Sequence, residues 1–131
     1  MIDAEQKIFN AVRPHVVDLC AANGFKGVYT PNPTAFPTVS LTEMDNTTVR
    51  RRQSSTPGEN FATITYEAQI YAQTKAKCRE VFGALDDAMI RLGFNRFSGQ
   101  FIPNADNTKV FRYVARYEAE IDTNGVIYRK P

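Results

Sequence analysis

Residues 61–73 read FATITYEAQIYAQ. Ala62, Ile64, Tyr66, Ala68, Ile70 and Ala72 occupy alternate positions, and Thr63, Thr65, Glu67, Gln69 and Gln73 fall on the opposite face. Successive side chains of a strand point to opposite faces. Clean alternation over this length therefore predicts a long strand with one apolar and one wet face. Such a strand needs neighbours for its backbone and a second layer over its apolar side.

The chain on either side supplies both. Downstream, Thr74 is an N-cap candidate for a helix over Lys75–Leu92 that Gly93 ends. Its apolar stripe is Cys78, Val81, Phe82, Leu85, Ala88, Met89 and Leu92, with Lys77, Glu80, Asp87 and Arg91 opposite. Strands are then predicted over Phe94–Ile102 and Lys109–Ile121. In the second, Phe111, Tyr113, Ala115, Tyr117, Ala119 and Ile121 alternate with Arg112, Arg116, Glu118 and Glu120. The Asp122–Gly125 turn precedes a short strand over Val126–Arg129. Upstream, a helix is predicted over Ala4–Asn23, with Pro14 breaking or kinking it near Val12–Arg13 and Gly24 closing it in the left-handed conformation. A short apolar piece over residues 27–30, a proline-rich turn over residues 31–37 and a strand over Thr38–Met44 follow. Residues 45–60 are polar and read as a two-stranded arm or a mobile loop. The order predicts a two-layer α+β domain. It has a mainly antiparallel mixed sheet, two helices packed on one face and a long polar loop or β-arm over residues 46–60.

A chain of 131 residues with 43% hydrophobic content makes one domain with one core. Sixteen basic and fourteen acidic residues leave a net charge of +2, too weak to imply nucleic acid without a concentrated patch. Cys20 and Cys78 both fall on predicted helices and read as buried thiols in a reducing compartment. No secretory leader is recognisable, and no run approaches the roughly 20 apolar residues of a membrane span. The expectation is a protein made and used in a cytoplasm, with no membrane partner.

Catalytic chemistry finds no footing. His15 is the only histidine, beside Pro14 on a helix, with no orienting partner in sequence. Cys20 lies five residues from it, which turns the two side chains apart on a helix. Asp86 and Asp87 diverge by about 100° and read as a solvated helix face. No phosphate loop, dinucleotide fingerprint or calcium loop is present, and one histidine is too few for an ordinary zinc site. The expectation is no enzyme, no cofactor and no metal. Two charged groups remain. Arg50, Arg51 and Arg52 read in three ways: a solvated loop, contacts to carboxylates of a neighbouring subunit, or charge contacts to the phosphates of DNA passing through a pore. Arg112, Arg116, Glu118 and Glu120 share one strand face and suggest a charge ladder across neighbouring strands or chains. Tyr71, Phe111 and Tyr113 add aromatic weight. A two-layer fold leaves one sheet face and its edges uncovered, which favours an oligomer.

A set of short segments carries a resemblance. They are Val12-Arg13-Pro14-His15, Phe36-Pro37-Thr38-Val39, Asp45-Asn46-Thr47, and Glu59-Asn60-Phe61-Ala62 leading into Thr65-Tyr66-Glu67. The stretch from Asp86 to Phe94 and Ile102-Pro103-Asn104 before Phe111-Arg112-Tyr113 complete it. In order, spacing and length the chain resembles the tail-terminator, or tail-completion, proteins of long-tailed phages, a group that includes minor capsid and head–tail joining proteins. The resemblance runs from about Phe9 to Ile121. It implies a small mixed sheet with two helices and a homo-hexameric ring in the virion, at the head–tail interface. That ring stops tail-tube polymerisation and meets a head-completion or connector protein. It also implies that a loop such as residues 46–60 reaches along or into the ring, which would put Arg50, Arg51 and Arg52 at the lumen or between subunits. A neck adaptor of the head–tail connector and a small DNA-binding module are the alternatives.

Overall fold

The computed structural model describes residues 2–22, 24–28, 33, 35–48, 61–103 and 109–128. Two helices lie against one six-stranded mixed sheet, the α+β architecture expected. The helices are α1 (Glu5–Val16) and α2 (Lys75–Leu92). The strands are β1 (Phe25–Lys26), β2 (Thr38–Thr48), β3 (Phe61–Ala72), β4 (Asn95–Ile102), β5 (Phe111–Asp122) and β6 (Ile127–Tyr128). The sheet order is β1-β2-β3-β5-β4, antiparallel except for the β1–β2 pair. β3 borders β5 along its whole length, and β4 and β6 share the other side of β5 end to end.

The alternation that predicts β3 also orients it. Ala62, Ile64, Tyr66, Ala68, Ile70 and Ala72 all enter the core. Ala115, Tyr117, Ala119 and Ile121 of β5 do the same, and the core faces of α1 (Ile8, Val12, Val16) and α2 (Cys78, Val81, Leu85, Met89) cover them. Small residues on the strands let the helices approach closely, while Tyr66 and Phe94 meet edge-on at 5.6 Å to fill the remaining space. α2 has the predicted bounds. The Thr74 side chain accepts from Lys77 N at 3.1 Å, and Gly93 takes φ 111°, where a side chain would be strained.

Three expectations need correction. α1 ends well short of Asn23 and is not broken at Val12–Arg13: it is continuous through Pro14 to Val16 and tightens into a 3-10 turn over Val17–Leu19. Pro14 falls in the last turn, so the helix loses a hydrogen bond only where it is about to end. Cys20 therefore lies just beyond the helical residues and is half-buried, whereas Cys78 is fully buried. Gly24 is not a left-handed cap; a Cβ there would lie 2.7 Å from the carbonyl oxygen of Pro37, so glycine is needed for close backbone approach. Finally, β2 does not stop at Met44. A bulge at Met44 resets the register, and the polar run Asp45–Thr48 continues the strand opposite Ala62–Thr65. Residues 49–60, including Arg50, Arg51 and Arg52, lie outside the described residues, as do residues 29–30 of the predicted apolar piece.

The two ends of the described fold meet. Asn46 Nδ2 donates to the Ile2 carbonyl at 2.7 Å, and Lys7 Nζ donates to the Gly125 carbonyl at 2.8 Å. The Asp122 side chain holds the final turn by accepting from the backbone of Asn124 and Val126, each at 2.9 Å. These bonds, Val126 first, keep the Asp122 carboxyl below its ordinary value.

Candidate interaction surfaces

The face of the sheet away from the helices carries Arg112, Arg116, Glu118 and Glu120 on β5, opposite Tyr71, Glu67, Thr65 and Thr63 of β3. Between these strands Arg116 Nε lies 3.0 Å from Glu67 Oε2. Behind it the bonding runs along β3, Gln69 Nε2 donating to Glu67 Oε1 at 2.7 Å and the Tyr71 hydroxyl donating to Gln69 Oε1 at 3.1 Å. This face is not uniformly wet, as the alternation suggested. Tyr71, Gln69, Thr38, Ser40, Val114 and Glu120 are buried. Glu67, Gln69 and Tyr71 bond to one another along β3, and the Thr38 hydroxyl donates to the Ala35 carbonyl, which lets these groups leave water at modest cost. Arg116 remains exposed, so its ion pair contributes at most about 1 kcal/mol. Arg112 is half-buried, six residues from Glu118 along the strand and hence roughly 20 Å away. Its Nε is buried without a hydrogen-bond partner.

The helix-covered face holds a second polar row that the sequence did not disclose. Register aligns Glu43 (β2), Tyr66 (β3), Tyr117 (β5) and Arg96 (β4) across the sheet. At the β4 end every group is engaged. The Tyr117 hydroxyl donates to Asp86 Oδ1 at 2.8 Å, and Arg96 Nη1 lies 3.1 Å from the same oxygen, its guanidinium over the Phe82 ring. Burial and then the bond to Asp86 push the Tyr117 hydroxyl far above its ordinary value, so it stays a donor. Asp86 is thus partly buried and bonded, not the solvated carboxylate expected, because α2 aims it at the sheet.

At the β2 end the row is incomplete. The Tyr66 hydroxyl is buried, with 1% of the residue exposed, and has no hydrogen-bond partner. Leaving such a group unbonded costs about 1–3 kcal/mol. The Tyr66 side chain is one wall of an open cleft of about 440 Å³ between α1, the end of β1 and the sheet. Phe9, Val28 and Leu41 give this cleft apolar walls, and Asp3 and Glu5 bring carboxylates to it. Glu43 stands beside Tyr66 in the register. Burial, then repulsion from Glu5 and Asp3, raises the Glu43 carboxyl above its ordinary value. One signal for this site was legible: Glu43 follows Val39 and Leu41 at the spacing of a core position.

The described surface has further landmarks. Phe97 is expelled from the β4 ladder by a bulge and is 53% exposed, and Val28 and Met44 are exposed on the other side of the sheet. Lys75 lies over the Phe101 and Phe111 rings, and Arg79 over Phe101. Burial raises both cysteine thiols to about 11, which keeps them protonated and unreactive. Among the described residues no group of three or more His, Cys, Asp or Glu could hold a metal ion, and no helix is long and apolar enough to cross a membrane.

No protein-family model and no curated protein matches the sequence. The fold is similar to that of a chain in the virion of a native gene transfer agent particle. The TM-score is 0.61, covering 87% of this chain and 93% of that one at 14% sequence identity. At that identity the likeness shows the fold.

Proposed function

We propose that this chain is a non-enzymatic structural subunit of a phage-like particle, and that it acts as a tail terminator. The observation that carries the reading is the fold likeness to a virion chain, which spans nearly the whole of both chains. The family resemblance in the sequence supplies the finer role: a ring, hexameric in that family, at the head-proximal end of the tail tube. Its mechanism is physical. One ring face offers contacts like those of a tube subunit, and the other offers different contacts, so the next tube ring finds no template. The second face then receives the head-completion or connector protein. Heterologous contacts between neighbours close the ring when the rotation between them closes. In this reading Arg50, Arg51 and Arg52 face the lumen or a neighbouring subunit, and Arg112, Arg116, Glu118 and Glu120 belong to a contact face.

Light scattering of the purified protein at low and high concentration, paired with electron microscopy in the presence of tail tubes, tests this. Closed rings seated on tube ends support it. Rings that bind only the head connector indicate a neck adaptor instead. A strict monomer that ignores tubes and binds DNA with a steep salt dependence overturns it.

A further inference from the structure

We propose that the acidic cleft between α1, β1 and the sheet is a socket for the β4 edge of a second copy of this chain, with Phe97 and Arg96 entering it. The inference rests on the ring reading and names the contact through which the ring would close.

Each part of the socket calls for such an occupant. Tyr66 lines the cleft, and its buried hydroxyl has no hydrogen-bond partner within the chain. Asp3 and Glu5 set the charge of the cleft, with Glu43 next to its tyrosine. The upward pressure that Asp3 and Glu5 exert on the Glu43 carboxyl is what an incoming cation relieves. The carboxylates do not form a group that could hold a metal ion. The apolar walls from Phe9, Val28 and Leu41 instead suit a larger organic cation or an aromatic ring beside one.

The opposite edge of the same sheet carries the complement. Phe97 projects from a bulge on an edge strand. Arg96 engages Asp86 with one nitrogen while 40% of its side chain is exposed, leaving guanidinium donors for a second carboxylate. Socket and knob are level, because Glu43, Tyr66, Tyr117 and Arg96 occupy one cross-strand row. Strand direction agrees as well. β2 is antiparallel to β3, β3 to β5 and β5 to β4, so β2 and β4 run in opposite directions. A copy set beside the first in the same orientation therefore offers an antiparallel edge to β2, whose pairing with β1 among the described residues is at Val39 and Ser40. The contact joins two different patches, so it is head-to-tail and compatible with a ring.

Sedimentation velocity of three variants tests the socket. The Asp3→Lys/Glu5→Lys double variant changes exposed residues of the socket, and Phe97→Glu changes an exposed residue of the knob. Each alone is expected to remain monomeric where the wild type assembles. An equimolar mixture is expected to give head-to-tail dimers and nothing longer, because each chain keeps one intact edge. Tyr66→Phe is expected to weaken assembly by roughly tenfold while the monomer's circular dichroism is unchanged and its melting temperature is unchanged or raised. Variants that fold and assemble like the wild type overturn the socket and leave the ring reading standing. A wild type that is monomeric at every concentration, alone and on tail tubes, overturns the ring reading and the socket with it.

Discussion

Two tyrosines face each other across β3 and β5, and they have opposite circumstances. Tyr117 is buried and bonded, its hydroxyl on Asp86 and Asp86 on Arg96. Tyr66 is equally buried, and its hydroxyl meets nothing. Both stand in one row of one sheet under the same two helices, so the fold itself does not demand the difference. The β4 end has α2 close by to supply Asp86. The β2 end has an open cleft with apolar walls, and the charged groups that line it are the carboxylates of Asp3 and Glu5. A domain that satisfies one half of a polar row and leaves the other half open is complete as a core and incomplete as a surface.

The comparison breaks most visibly at Asp86. Asp86→Ala removes the acceptor of a buried hydroxyl and the counter-charge of Arg96, and is expected to destabilise the dilute protein by about 1–3 kcal/mol in urea unfolding. A loss below about 0.5 kcal/mol would mean that the row is not closed at that end. Tyr117→Phe and Tyr66→Phe sharpen the contrast, since each removes one oxygen from the same environment. The first is expected to cost about 1 kcal/mol, and the second nothing, or to stabilise the dilute protein slightly, because an unbonded buried hydroxyl is lost. Equal effects would erase the distinction between the two ends.

The smallest effect is a pH dependence. The Glu43 carboxyl is held above its ordinary 4.5 by burial and by Glu5, Asp3 and Asp45, against a bond from Asn46. The folded state thus prefers the protonated group. That stabilising preference is complete below the unfolded value and fades as pH rises through the folded one. Glu43→Gln is therefore expected to match the wild type near pH 4 and to exceed it in stability near neutral pH. Asp122 is shifted the other way. Its contribution is lost as pH falls below its ordinary 3.8, outside the window where Glu43 acts. A constant difference between the two proteins from pH 4 to 7 would show that Glu43 is not under strain from its neighbours.

Where local rules decide, sequence and structure agree. Thr74 and Gly93 set the bounds of α2 because a cap and a left-handed stop depend only on the residues beside them. β3 and β5 orient themselves by strict alternation. Illegible features depend on groups far apart in the chain. Asp86 looks solvated until Tyr117 and Arg96, from two different strands, are brought to it. The bulge at Met44 carries β2 into a run that composition alone assigns to a loop. The cleft joins Asp3 and Glu5, at the start of α1, to Tyr66 in mid-chain. Of the residues picked out from sequence, Arg116 pairs across strands with Glu67, and Arg112 is half-buried opposite Tyr71, neighbours that only the register supplies.

The position of β5 in the sheet sets a timetable. This strand holds β3 on one side and β4 and β6 on the other, yet it follows β2, β3 and β4 in the chain. A chain emerging from a ribosome can form α1 and the β2–β3 pair early, but neither has a finished layer to rest on until residues 111–122 arrive. Lys7 then reaches a carbonyl 118 positions away. Contacts of that span slow folding relative to a helical chain of equal length. A chain that has not yet made β5 leaves the edges of β3 and β4 unpaired, ready to template other strands.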